Sequence, residues 1–171
     1  MPEPQTTEAK TLTGKAAVLE AFPNHPAIQA LLAWNADALT DAKFEHAELT
    51  LTVAKEQIRA ACEVAKKAGY NFFEDMTAVD WYPSTPRFQL SYHLLSFKLK
   101  DRVRLRAVVD EADAEVDSIV PVWPSADFYE REVWDLFGIR FAGHPNLRRI
   151  LLPDEWTGHP LRKDYPVEGY R

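Results

Sequence analysis

The chain has 171 residues, a formal net charge of −6 at pH 7, 46% hydrophobic residues and 27% charged residues. That is the make-up of one ordinary globular domain, large enough to bury a core without a disulfide or metal staple. No apolar run approaches the ~20 residues of a membrane span, and the opening Met1-Pro-Glu-Pro-Gln-Thr-Thr-Glu8 has neither the basic nor the apolar region of a secretory signal. An intracellular protein is expected.

The single cysteine, Cys62, narrows the chemistry further. One thiol forms no internal disulfide, no CxxC zinc site and no four-thiolate iron–sulfur cluster. If the protein serves redox chemistry, it does not carry the cluster. Charge is also uneven. Residues 1–139 hold 14 Lys and Arg against 22 Asp and Glu, whereas residues 140–171 hold 6 against 4. An acidic body with a slightly basic end lacks the broad basic face of a nucleic-acid binder.

Residues 1–13 are polar, with two prolines, and read as a disordered leader. A short helical pattern follows from Gly14 to Ala21. His25-Pro26 opens a second helix, Pro26 suiting a first turn, with Ile28, Leu31 and Leu32 as its apolar face. Glu48 to Val53 alternates apolar and polar residues, the pattern of a half-buried strand. Ile58, Ala61, Cys62 and Ala65 recur at helical spacing on an amphipathic helix that ends at Gly69. Cys62 is therefore expected as a small core residue rather than a reactive thiol.

Phe72 to Tyr82 reads as a strand, with a turn at Pro83-Ser-Thr-Pro86. Phe88 to Leu94 and Val103 to Val109 alternate on either side of a turn at Lys100-Asp101, which predicts an antiparallel hairpin. The row Arg102, Arg104 and Arg106 is expected to lie on its solvated face. Asp110 to Asp117 is an acidic connector. The predicted fold class is α+β: a small, mostly antiparallel sheet with helices packed on one face, followed by an extended irregular C-terminal arm. The globular domain is placed at residues 14–141 and the arm at 142–171.

The last helix is predicted over Asp127 to Phe137, with Ser125 as N-cap and Gly138 as stop. Tyr129, Val133, Trp134, Leu136 and Phe137 share an apolar arc, with Arg131, Glu132 and Asp135 facing away. Glu130 breaks the pattern, because it falls inside the arc. A carboxylate there needs several donors or a cation. Either the helix start supplies free N–H groups, or Arg140, Arg148 or Arg149 pairs with it.

Beyond Phe141, frequent proline and glycine leave little regular structure, yet Leu147, Ile150, Leu151, Leu152, Trp156, Leu161 and Tyr165 carry too much apolar surface for a disordered tail. The segment also repeats itself, Gly143-His-Pro-Asn-Leu-Arg-Arg149 echoing Gly158-His-Pro-Leu-Arg-Lys163. Prolyl stiffness, apolar anchors and paired cations suit a docking arm.

These residues match a family. Glu130-Arg131-Glu132-x-x-Asp135-Leu-Phe-Gly138, then Phe141-x-Gly-His144-Pro145-x-Leu147-Arg148-Arg149, then Trp156-x-Gly-x-Pro160-Leu-Arg162-Lys163-Asp164-Tyr165 closely resembles the 30-kDa subunit family of respiratory complex I, the C-type subunit of bacterial NADH–quinone oxidoreductases. Thr77-Ala-Val-Asp80 and the Phe88–Phe97 strand are also similar to the family, whereas residues 1–45 carry no matching motif.

The resemblance implies a cofactor-free peripheral-arm subunit that packs on the 49-kDa (D-type) subunit near the cluster-bearing B- and I-type subunits. The iron–sulfur clusters, FMN and quinone would then belong to partner subunits. Membrane association would be indirect, at the cytoplasmic side of the bacterial inner membrane. Related subunits in complexes with other electron donors fit the same motifs. On this reading Leu147, Leu151 and Trp156 are apolar anchors, and Arg148, Arg149, Arg162 and Lys163 meet carboxylates of a partner.

The chain has no GxGxxG or GxxxxGK[ST] loop, and His25, His46, His93, His144 and His159 show no HExxH or paired-ligand spacing. A free-standing enzyme would have to use Glu130 as acid–base group beside His144 or His159. No nucleophile or phosphate cradle accompanies them.

Overall fold

The computed structural model describes residues 11–169. Its order is β1 (Leu12–Thr13), α1 (Lys15–Ala21), α2 (Pro26–Asn35), β2 (Leu39–Glu45), β3 (Glu48–Val53), α3 (Ile58–Lys67), β4 (Phe72–Asp80), β5 (Phe88–Ser96), β6 (Asp101–Val109), β7 (Glu115–Asp117), α4 (Ala126–Phe137) and β8 (Arg140–Ala142). The fold is α+β, as predicted.

Six strands form one sheet in the order β1-β2-β3-β6-β5-β4. It consists of two antiparallel meanders joined by a parallel pairing of β3 with β6, in which Leu51 lies opposite Leu105. Alternation sets the faces. Val103, Leu105, Ala107 and Val109 are fully buried on β6, as are Phe88, Leu90, Tyr92 and Leu94 on β5. They pack against Ile28 and Leu31 of α2 and Ile58, Ala61, Cys62 and Ala65 of α3. Cys62 is fully buried, and burial together with nearby Glu130 pushes its thiol pKa well up.

Several details differ from the sequence reading. The leader expected over 1–13 yields Leu12 and Thr13 to an edge strand paired with Phe44 and Lys43. Residues 1–10 lie outside the described residues. Strand β2 has no counterpart in the expectation. A bulge between Leu39 and Asp41 puts Leu39 and Ala42 both toward the core, a spacing of three that hides the period of two. Strand β3 is more than half-buried, with Thr50 and Thr52 also covered, because it is central and flanked by long side chains. The acidic connector contains β7, which pairs in parallel with β8. Helix α4 is the crossover that a parallel pair requires.

The helix itself starts as expected, except that Ser125 makes no side-chain cap. Gly138 ends it in the left-handed region at φ 76°, a conformation only glycine adopts without strain.

Leu51 sits at the junction of the two meanders. Leu51→Ala is expected to cost about 2–5 kcal/mol, through lost burial and a residual cavity. Urea denaturation followed by circular dichroism measures it.

Candidate functional site

The signature residues gather where the arm crosses the end of α4. The last turn of a helix leaves four carbonyls without intrahelical donors. Here Trp134 O accepts the Gly138 N–H at 2.8 Å, and Leu136 O accepts the Leu161 N–H at 3.0 Å. Phe137 O accepts Arg162 Nε at 2.6 Å, and Asp135 O accepts His159 Nδ1 at 2.9 Å. Because a carbonyl only accepts, His159 carries its proton on Nδ1; burial holds its pKa below the ordinary histidine value. Arg149 also reaches Asp135 O at 3.3 Å, so two guanidinium groups sit at the negative end of the helix dipole.

Asp135 is the centre of this arrangement. Its carboxylate is fully buried. Oδ2 accepts three consecutive arm amides, Ile150, Leu151 and Leu152, at 3.1, 2.9 and 2.9 Å. Oδ1 accepts Arg149 Nη1 at 2.6 Å, and Arg149 Nη2 continues to Trp156 O at 2.7 Å. Burial alone would raise its pKa, but the Leu152 amide, Arg149 and the other two amides outweigh it, so the group is held below its ordinary value. This corrects the sequence reading. Asp135 faces the arm rather than solvent, and it takes Arg149, one of the cations the sequence offers to Glu130.

Glu130 is buried, as its place in the apolar arc requires, but it pairs with none of Arg140, Arg148 and Arg149. Its Oε1 accepts the Ile119 N–H at 2.6 Å, and His144 Nε2 lies 3.9 Å from Oε2. Burial raises its pKa to about 7, opposed in part by the Ser118 hydroxyl and the Ile119 amide. His144 Nδ1 accepts the Asn146 N–H at 3.0 Å, so its proton is on Nε2, 3.3 Å from Asp127 Oδ1.

A second clamp holds the arm farther along. Arg87 and Asp80 are buried, at 3% and 2% exposure, and pair through two guanidinium nitrogens at 3.0 and 2.8 Å. Arg87 also binds Asp164 with two nitrogens and Glu111 at 2.8 Å, while lying near the Tyr82 and Phe88 rings. Asp80 Oδ2 accepts the Lys163 N–H at 2.8 Å. Burial would raise the Asp80 pKa, but Arg87, Lys163 and Tyr82 outweigh it and hold it at about 2.

The remaining signature residues divide by exposure. Arg131 donates to the carbonyls of Arg148 and Arg149 at 3.1 and 3.0 Å. Leu147, expected as an anchor toward a partner, instead packs against the chain's own core, and Tyr165 Oη donates to Thr157 O at 3.3 Å. Glu132, Pro145, Arg148, Trp156 and Lys163 are exposed. Arg149, Arg162 and Asp164 therefore hold the arm to its own domain. Arg87 gives no signal in the sequence beyond a charge at the start of a strand.

Among the described residues, no three His, Cys, Asp or Glu side chains gather to hold a metal ion, and no helix is long and apolar enough to cross a membrane.

The family described as "Respiratory-chain NADH dehydrogenase, 30 Kd subunit" matches residues 51–171. The chain belongs to this family. It is 48% identical over 147 residues to the NADH-quinone oxidoreductase C subunit of Citrifermentans bemidjiense, covering 85% of this chain and 91% of that one. It is 47% identical over 136 residues to the corresponding C subunit of Geobacter sulfurreducens, covering 78% and 84%. Among solved structures it resembles a trypsin-resistant fragment (1-134) of Nqo5, with a TM-score of 0.64, 29% identity and coverage of 72% and 100%. It also resembles a chain of an archaeal membrane-bound sulfane sulfur reductase, with a TM-score of 0.70, 26% identity and coverage of 82% and 83%. Many of the residues that carry the resemblance thus lie at the contact between α4 and the arm.

Three buried carboxylates give outcomes that test these assignments. Asp135→Ala leaves three arm amides without an acceptor and takes the carboxylate partner from Arg149, and is expected to destabilise the chain by about 3–5 kcal/mol in urea. Glu130 acts in the opposite sense. Its folded pKa rises from 4.5 to about 7, so the native chain binds a proton that the unfolded chain releases, and stability falls as pH climbs through that window. Glu130→Gln is expected to remove this part of the pH dependence and to exceed the wild type in urea midpoint above pH 7. Asp80, depressed from 3.8 to about 2, stabilises above that range and loses its contribution as pH falls through it.

Proposed function

We propose that this chain is a non-catalytic, cofactor-free structural subunit of the peripheral arm of an NADH–quinone oxidoreductase. It supports assembly of the quinone-reducing module, in electron transfer coupled to proton translocation. Its partners are the 49-kDa (D-type) subunit and the cluster-bearing B- and I-type subunits. These, with other subunits, hold the iron–sulfur clusters, FMN and quinone. The chain stays on the cytoplasmic side of the bacterial inner membrane, attached through the complex.

The observation that carries this reading is the outer surface of the arm. Its inner side is fixed by Asp135 and Arg87, yet Leu151, Trp156 and Leu161 remain 60%, 40% and 51% exposed. Arg148 and Lys163 are exposed beside them. Large apolar residues fixed outward on an irregular segment, with cations between them, have the composition of an interface core and rim. Residues 14–141 then form the supporting domain and residues 142–171 the docking arm.

The likeness to a chain of the sulfane sulfur reductase favours a second reading, an equivalent subunit in a complex with another electron donor. Cyanobacterial or chloroplast-type complexes and membrane-bound hydrogenases are of this kind. Mass spectrometry of co-purifying chains separates the two.

The purified chain is expected to give no turnover with NADH and quinone, and measurable turnover overturns the non-catalytic assignment. Trp156→Ala is expected to weaken assembly by about 2 kcal/mol while leaving the free chain's thermal midpoint nearly unchanged. Complex recovered on native gels, together with calorimetry of the free chain, measures both.

A further inference from the structure

The open face of the six-stranded sheet holds a cation that the arm does not use. The helices that build the core pack on the opposite face, so the outward row of β6 is Arg102, Arg104, Arg106 and Val108. Two of the three arginines are matched internally. Arg102 donates to Glu48 and Glu74 at 3.3 and 3.1 Å. Arg104 donates to His93 Nε2 at 2.7 Å, to Thr50 at 3.3 Å and to Glu48.

Arg106 is different. Among the described residues its side chain has no hydrogen bond and no ion pair, and its Nε is shut off from solvent without an acceptor. Asp41 and Glu45 influence it electrostatically, but neither reaches ion-pair distance. Burial and the neighbouring Arg104 both make its charge harder to hold. Only Nε is shut off, so the terminal nitrogens face outward, where a planar acceptor with two oxygens can pair with them.

The surroundings say what carries that acceptor. The cross-strand neighbours of Arg106 are Ser91 and Thr52, both short, so the guanidinium is open to approach. One register step along, Val79, Gln89 and Val108 form a row across three strands. Val79 and Val108 are 37% and 40% exposed. One unpaired guanidinium beside two uncovered valines fits a single carboxylate on an apolar-flanked chain.

We propose that Arg106 is an interface anchor that receives an Asp or Glu side chain of a neighbouring subunit against the open sheet face, with Val79 and Val108 as its apolar rim. The proposal rests on the assembly role proposed above. It places a second contact on the side of the sheet facing away from the helices.

The test compares the full chain free and within the complex. Arg106→Gln is expected to leave the free chain's thermal midpoint unchanged or higher, because a poorly solvated charge is removed. It is expected to lower incorporation into the complex by about tenfold. Arg106→Lys keeps the charge without the fork and should fall between. Val108→Glu, an exposed position that sets a like charge against the partner's carboxylate, should also lose incorporation. Arg102→Gln should assemble normally.

Wild-type incorporation of both Arg106→Gln and Val108→Glu overturns the proposal while leaving the assembly role standing. A wild-type chain that joins no complex overturns both. A lowered midpoint in free Arg106→Gln makes Arg106 a structural residue and overturns the anchor. Stabilisation of the free wild type, but not of Arg106→Gln, by inorganic phosphate assigns the site to a free anion and also overturns it.

Discussion

The carboxylate of Asp135 holds the architecture of the C-terminal third together. A buried ion without partners is strongly destabilising, so its position obliges the chain to bring donors to it. Those donors are Arg149 and three successive amides of the arm. Once they are in place, Trp156 and Gly158 carbonyls are tied to the same guanidinium, and His159, Leu161 and Arg162 fall onto the free carbonyls at the helix end. The irregular arm is thus satisfied hydrogen bond by hydrogen bond without forming a helix or strand. The Arg87 cluster repeats the logic at the sheet, tying positions 80, 111 and 164 through one side chain.

The arm therefore works as a surface of the domain. Its charged residues divide between inward groups that fix it and outward groups available to a partner. The echo between Gly143–Arg149 and Gly158–Lys163 does not carry over position by position: Arg149 and Arg162 each bind a carbonyl in the last turn of α4, although Arg162 aligns with the exposed Arg148. Ordering at the folding stage lowers the entropy lost on association.

The α+β class, the central hairpin, the buried Cys62 and the anomaly of Glu130 are legible in the sequence because each follows from a period along one element. Strand β2 is not, since its bulge replaces alternation by a spacing of three. Asp135 misleads for a different reason. A helical arc shows which residues share a face, but says nothing of a distant segment that covers the polar face. Glu130 is recognisable as buried, yet its donor is the amide of Ile119, and a backbone donor leaves no trace in residue identity. The Arg102–Arg104–Arg106 row looks uniform, and only cross-strand register separates Arg106, opposite Ser91 and Thr52, from Arg104, opposite His93 and Thr50. The family signature is the most legible feature, although it names the residues without revealing that many of them bond to one another.

Three consecutive amides converging on one oxygen form a small concave cradle for an anion, here filled by a side chain of the same chain. Lifting the segment away would strip these amides and Arg149 from a buried carboxylate at once. The segment at 149–152 and the last turn of α4 therefore depend on each other, in spite of lying in different kinds of secondary structure. Loss of an irregular tail usually leaves a helix intact, but here it would uncover a charge on the helix itself.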